Sequence, residues 1–233
     1  MKNIVMSWSS GKDAAYALYK LQQGKEFQIH GLFCTLDNTQ KRVSMHGIHE
    51  SLLDAQAKAL DLRIAKLYLP KDLSMDTYGA MMKAELIKLK QQQVHAFGFG
   101  DILLEDIKAY REKQLTTMNM EAIFPLWEEN TKELAHRIID ARFKAIVVAI
   151  NRNVLDDSFI GRSFNAAFLE SLPVGVDPCG ENGEFHTFVY DGPNFRYPIA
   201  FKRGGVVERS YASDSDAAES WDTSFLFLEL LLT

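Results

Sequence analysis

Hydrophobic and polar positions in the first half of the chain alternate between two textures. Short apolar runs, Ile4-Val5-Met6, Ile29 to Leu36, Ile64 to Leu69 and His95 to Gly100, read as strands. Between them lie longer segments with helical spacing. Lys12 to Gln23 places Ala15, Leu18, Tyr19 and Leu21 inward, and His49 to Leu60 and Asp76 to Gln93 follow the same period. Strands alternating with helices at this spacing predict a parallel sheet with right-handed crossovers and helices on both faces. Ligands on such sheets sit beyond the carboxyl ends of the strands. That rule selects Ser7 to Asp13, Thr35 to Arg42 and Gly100-Asp101 as the segments to inspect.

Past residue 120 the texture changes. Glu121 to Trp127 and Lys144 to Ile150 read as strands on either side of a helix from Thr131 to Phe143. Pro173 to Pro193 is rich in glycine and proline and has no helical period. Tyr197 to Phe201 and Val206 to Tyr211 flank Arg203-Gly204-Gly205, which predicts a hairpin. The fold class expected is therefore α/β, with a parallel-sheet domain over residues 1–120 and a smaller α+β domain over 121–233.

Composition narrows the function. The chain has 233 residues, 47% hydrophobic and 24% charged, which is enough to bury a core and excludes disorder as a description of the whole. Its 26 lysines and arginines stand against 31 acidic residues, a net charge of −5. A sequence-independent nucleic-acid binder needs the opposite surplus, so no nucleic-acid partner is expected. Cys34 and Cys179 are far apart and read as buried structural thiols rather than a disulfide framework or a thiolate zinc site. The amino terminus enters a strand without a signal core, and Phe225 to Leu232, interrupted by Glu229, is too short to span a bilayer. The expectation is a soluble cytoplasmic protein with no membrane partner; an oligomer is compatible with the sequence.

Candidate chemistry concentrates in two places. Ser9-Ser10-Gly11-Lys12-Asp13-Ala14 joins the first strand to the first helix. A tight small-residue turn there exposes backbone N–H groups at a helix N-terminus, where the dipole also favours an anion. Lys12 and the hydroxyls of Ser9 and Ser10 suit a phosphate, although the spacing is not that of a Walker A loop. The second place is Gly180-Glu181-Asn182-Gly183-Glu184-Phe185-His186-Thr187, whose carboxylates lie on a glycine-rich turn unsuited to a core. Gly100 permits close approach of a ligand, and Asp101 can hold a magnesium-bound phosphate, a ribose hydroxyl or a helix cap. Arg42 and His46, after the second strand, are candidates for contact with substrate or phosphates. His46 and His49, three apart, could share a helical face and a metal, but no residue is assigned as a metal ligand. Glu105, Asp106, Lys108, Arg111, Glu112 and Lys113 alternate in sign and read as a solvated helix face, and Trp127 and Trp221 as packing residues.

The first of these segments resembles the pyrophosphate loop of the N-type ATP pyrophosphatases, usually Ser-Gly-Gly-x-Asp-Ser. Together with Gly100-Asp101-Ile102-Leu103, the Pro125-Leu126-Trp127 strand and the block at 180–187, the chain resembles the diphthine–ammonia ligase family. The resemblance implies an adenine-nucleotide-hydrolase-like (HUP-type) first domain and an ATP-dependent ligase. In it a substrate carboxylate attacks ATP to give an acyl-adenylate, which ammonia then converts to an amide. ATP with Mg²⁺ is the implied cofactor, bound through Ser9, Ser10, Gly11, Lys12, Asp13, Gly100 and Asp101. The acyl substrate is implied at Arg42, His46, Glu181, Gly183, Glu184 and His186, with Lys12, Asp13 and Glu184 catalytic. Four positions depart from the family pattern: Ser10 and Asn182 replace glycines, Ala14 replaces a serine, and His186 replaces a glutamate. The alternatives are an enzyme of the same superfamily acting on another small carboxylate or transferring sulfur to tRNA, or a nucleotide-binding regulator without turnover.

Overall fold

The structure is a computed structural model and describes residues 1–211 and 223–233; Trp221 lies outside them. Its first half runs β1 (Lys2–Ser7), α1 (Lys12–Gln23), β2 (Phe27–Asp37), α2 (Glu50–Ala59), β3 (Ile64–Leu69), α3 (Met75–Gln91), β4 (Val94–Gly98), α4 (Glu105–Thr116) and β5 (Glu121–Ile123). The five strands form one parallel sheet in the order β3-β2-β1-β4-β5. Ile4, Val5 and Met6 of β1 are all buried, as expected of a central strand covered on both faces. Because β1 leads to β2 on one side and β4 pairs on the other, the order reverses at β1. The crevice outside the carboxyl ends of β1 and β4 is therefore the switch point, where open α/β sheets hold ligands.

The second half contributes α5 (Thr131–Asp140), β6 (Lys144–Asn151), α6 (Ala166–Glu170), β7 (Phe185–Asp191), β8 (Phe201–Tyr211) and β9 (Thr223–Leu232). These strands form an antiparallel sheet in the order β7-β6-β9-β8. Two expectations are corrected here, and one segment gains an element. No hairpin turns at Arg203-Gly204-Gly205; β8 runs straight through, and its register against β9 shifts between Arg203 and Val206, so the glycines make a bulge. The strand expected at Glu121 to Trp127 stops at Ile123, and Pro125-Leu126-Trp127 forms a turn. The glycine- and proline-rich segment at 173–193 contains a strand, β7, whose Phe185, Thr187, Phe188 and Val189 are buried.

One apolar cluster spans both halves. Ile4, Ala15 and Leu18 join Phe143, Ile146, Phe168 and Phe188 in it, and Phe143 meets Tyr16 and Tyr19 of α1 edge to face. Lys20 reaches across to the Pro125 carbonyl and the Glu129 carboxylate. The antiparallel sheet thus packs directly against α1, and its β7 loop arrives at the switch point.

Candidate functional site

The turn after β1 is held in an unusual conformation. Ser10 lies at φ +75°, in the left-handed region, and is wholly buried. That backbone explains why glycine is usual at this position, since a Cβ there costs roughly 1–2 kcal/mol. What fixes it is Gln56 of α2, itself wholly buried. Its amide accepts from the Trp8 indole at 2.8 Å and donates to the carbonyls of Ser10 at 3.1 Å and Val189 at 2.7 Å. Val189 N–H also donates to the Ser10 carbonyl at 3.0 Å. One side chain therefore ties the loop to its own domain and to β7.

The first turn of α1 has no local side-chain cap. Its Lys12 N–H donates to Thr187 Oγ1, 175 residues away, at 3.1 Å, and Gly11 N–H donates to Ser9 Oγ. Lys12 does not extend freely into the crevice. Its ammonium is buried, donates to Asp13 at 2.9 Å and to the Cys179 carbonyl, and lies 5.2 Å from the Phe185 ring centroid. Burial is the largest influence and opposes that charge, but Asp13, Cys179 and Glu181 together outweigh it, and Lys12 stays cationic. Asp13 is pushed up by burial against the pull of Lys12. Gly100 lies directly on this turn: a Cβ there would sit 2.8 Å from Ala14 N and 2.9 Å from Asp13 C. That close approach brings the loop after β4 onto the turn, and Asp13 and Asp101 line the same cavity.

Asp101 does not cap α4, which starts at Glu105 rather than Leu103. It pairs with Arg111 at 3.1 Å, and burial pushes its carboxyl up. Arg111 is a correction to the solvated-face reading, since it turns inward over the Phe99 ring at 4.3 Å. Lys108 holds to the expectation of exposure only in part, lying over the half-buried Trp127. Asp13 Oδ1, Asp101 Oδ2 and Arg111 Nε are buried and without hydrogen-bond partners.

The block at 180–187 closes the site from the other half. Glu181 accepts from the N–H groups of Ile102 and Leu103 at 2.9 and 3.0 Å and so clasps the loop after β4. Glu184 faces inward and accepts from the N–H groups of Asp177 and Asn182 and from the Asn182 amide, which rigidifies its own turn. Gly180 and Gly183 have positive φ, as the turn requires. His186 and His46 lie against each other, ring centroids 4.6 Å apart and planes tilted by 34°. His46 Nδ1 meets the Thr187 carbonyl at 3.1 Å, so Nδ1 carries the proton and Nε2 is an acceptor. Two charged rings at this separation would repel by about 4 kcal/mol at an effective dielectric of about 20. Burial first, and Lys12 after it, push His46 down to about 4, and burial, His46 and Lys12 push His186 well below its ordinary value. Both rings are neutral at pH 7.

Arg42 and His49 lie outside this cavity. Arg42 donates to the Gly47 carbonyl and to Glu229 of β9, so it pins the loop that carries His46. His49 caps α2 through Ser51 and does not approach His46 to share a metal. Among the described residues no group of three His, Cys, Asp or Glu side chains could hold a metal ion. Cys34 and Cys179 are buried, and desolvation pushes both thiols up, Cys34 to about 12, so neither offers a ready thiolate.

The cavity, about 570 Å³, is lined by Ser9, Lys12, Asp13, His46, Asp101 and Glu181 among others. Glu184 is absent from its lining, as is Arg42. A second cavity of about 350 Å³ shares Ser7, Ser9, Ser44, Ile107 and Arg111 with it and is walled by Phe33, Tyr78, Phe97, Phe99 and Tyr110. Gln56, Thr187 and Arg111 were missed as site residues. A block quoted for its carboxylates contained Thr187, but its partner lies at the other end of the chain.

Fold and site together define an α/β protein whose turn at the switch point of a parallel sheet is closed by a loop from an antiparallel sheet. Residues 1–122 match the model of the diphthamide synthase N-terminal domain, and residues 130–225 that of the diphthamide synthase C-terminal domain. The chain belongs to the diphthamide synthase family. It is similar to the diphthine–ammonia ligase of Bos taurus, with 30% identity over 202 residues, 80% of this chain and 73% of that protein. The diphthine–ammonia ligase of Homo sapiens is 28% identical over 180 residues, 70% of this chain and 66% of that protein. That of Mus musculus is 29% identical over 133 residues, 54% of this chain and 50% of that protein. Among the described residues no helix is long and apolar enough to cross a membrane.

Proposed function

We propose that the chain is an ATP-dependent amide ligase that releases AMP and pyrophosphate, with an acyl-adenylate as intermediate. The observation that carries this reading is the pair of orphaned carboxylate oxygens, Asp13 Oδ1 and Asp101 Oδ2, at the N-terminus of α1 in a cavity closed by the second half. Buried acceptors without donors are costly unless a cation satisfies them. Two carboxylates completed by phosphate oxygens suit Mg²⁺. Asp13 and Asp101 would hold that ion, which would neutralise charge on the departing pyrophosphate.

The chain's own groups divide the remaining work. The first turn of α1 receives phosphate oxygens, which compete with Ser9 Oγ and Thr187 Oγ1 for the N–H groups of Gly11 and Lys12. The aromatic cavity contiguous with the loop accepts the base. Lys12, fixed between Asp13 and the Cys179 carbonyl, supplies a positive charge that needs no reorganisation as pyrophosphate leaves. The acyl substrate enters from the side of His46, His186 and Gly183. Its carboxylate oxygen attacks the α-phosphorus and the P–O bond to pyrophosphate breaks. Ammonia then attacks the acyl carbon, the bond to AMP breaks, and one proton is released.

The test is product analysis. Protein, ATP, Mg²⁺ and ammonium are incubated with a panel of carboxylic acids, and nucleotides are separated. Acid-dependent AMP and pyrophosphate in equal amounts are expected. ADP and phosphate would overturn the reading, and ATP-dependent thermal stabilisation with no product from any acid would favour a regulator.

A further inference from the structure

The wall formed by His46 and His186 bears no charge, although the cavity around it is crowded with charged groups. Lys12 lies on one side, and every carboxylate lining the cavity has one oxygen engaged; the buried ones left free are Asp13 Oδ1 and Asp101 Oδ2, the pair that would hold Mg²⁺. Asp13 is engaged with Lys12, Asp101 with Arg111, and Glu181 with two backbone N–H groups. Glu184 is turned into its own loop. With Mg²⁺ on the free oxygens of Asp13 and Asp101, a cationic ligand group at this wall would find no buried carboxylate oxygen left to pair with and would meet the ammonium of Lys12. The two rings do offer hydrogen bonds. His46 presents a lone pair at Nε2, because its Nδ1 is committed to Thr187. His186 presents one donor and one acceptor, and its buried Nε2 has no partner. An orphaned polar atom beside a cavity is satisfied when a ligand supplies the missing bond.

We propose that His46 and His186 select the acyl substrate, and that they select one whose group at this wall is an uncharged donor and acceptor, a hydroxyl or a carboxamide, against one bearing a cation. Such a group can give a hydrogen to one imidazole and accept one from the other. Arg42 and Gly11 act as positioning residues for this pair. Arg42 fixes the His46 loop on β9, and the absence of a Cβ at Gly11 leaves room for the His46 ring, whose Cε1 would lie 2.7 Å from that atom. The inference rests on the amide-ligase reading for its substrate, and its test separates the two.

Three acids of similar length serve as probes: 4-hydroxybutanoate, succinamate and 4-(trimethylammonio)butanoate. Binding is measured by calorimetry in the presence of Mg²⁺ and a non-hydrolysable ATP analogue, and AMP release is measured in parallel with ATP and ammonium. Wild type should bind the hydroxyl or amide acid at least tenfold more tightly than the quaternary ammonium acid. His186→Glu, which adds a carboxylate to the wall, should shift that ratio tenfold or more toward the cation, whereas His186→Gln should keep the wild-type order. Binding order with no AMP release would remove the ligase reading and keep the selection. AMP release with the quaternary ammonium acid preferred by wild type would keep the ligase and overturn the selection. Equal losses for all three acids in His186→Glu, or binding of none by wild type, would also overturn it.

Discussion

Replacing Gln56 tests whether the switch-point loop is held from outside. The Gln56→Leu side chain fills nearly the same space but removes three buried hydrogen bonds, at 2.8, 3.1 and 2.7 Å. The Ser10 carbonyl keeps the Val189 N–H at 3.0 Å, while the Trp8 indole, only 1% exposed, is left without an acceptor. A neutral buried bond contributes about 1 kcal/mol and an orphaned donor costs about 1–3 kcal/mol. The two bonds to carbonyls and the orphaned indole together predict a loss of about 3–5 kcal/mol, large beside a total stability of roughly 5–15 kcal/mol. Gln56→Glu should be worse, because it sets a carboxylate against the Ser10 and Val189 carbonyls. The same bonds hold Ser10 in the left-handed region, so nucleotide affinity should fall in step with the fraction of loops still in that conformation. Urea unfolding gives the first quantity, and calorimetry with Mg²⁺ and a non-hydrolysable ATP analogue gives the second. A Gln56→Leu protein within 1 kcal/mol of wild type, with unchanged nucleotide affinity, would refute the reasoning.

Three further outcomes are expected. Ser10→Gly relieves the left-handed backbone and removes a buried, unpartnered hydroxyl, against the greater freedom of glycine when unfolded; urea midpoints should show a gain of about 1 kcal/mol. Asp101→Asn removes a carboxylate that burial makes costly to ionise, so at pH 7 the apo protein should be at least as stable as wild type. That advantage should close as pH falls through the raised carboxyl pKa, while MgATP affinity drops tenfold to a hundredfold by calorimetry. His46 sits at about 4 in the fold against 6.5 unfolded, so its share of stability is complete above pH 6.5 and lost as pH falls toward 4. The gap is worth about 3 kcal/mol, and His46→Asn should flatten the wild-type decline in urea stability between pH 6.5 and 4.

Local pattern made the parallel sheet legible. Its strands are short apolar runs, its helices keep a 3.6-residue period, and the carboxyl-end rule led to Ser9, Lys12, Asp13, Gly100 and Asp101, which line one cavity. What the pattern could not carry was contact between distant segments. Thr187 caps a helix 175 residues away, and Gln56 looks like any polar helix position until Ser10 and Val189 close on it. Arg111 sits in a run of alternating charges, and only the fold turns it toward Asp101. Composition gave no signal for β7, which lies between Gly183 and Pro193. It misled at Gly204-Gly205, where β9 holds β8 through its bulge. Glu184 carries the motif's charge, yet its three donors lie within residues 177–182, so it shapes the turn that presents His186.

The central claim, that a carboxylate is activated through its own oxygen in this cavity, is tested most directly by isotope transfer. A carboxylic acid that supports AMP release is prepared with ¹⁸O in both carboxyl oxygens, and the AMP formed in the presence of ammonium is weighed by mass spectrometry. Formation and breakdown of an acyl-adenylate transfer one carboxyl oxygen to the phosphate, so AMP should gain a single ¹⁸O and the amide should retain the other. Unlabelled AMP would mean that another nucleophile attacks the α-phosphorus, and the account would be wrong.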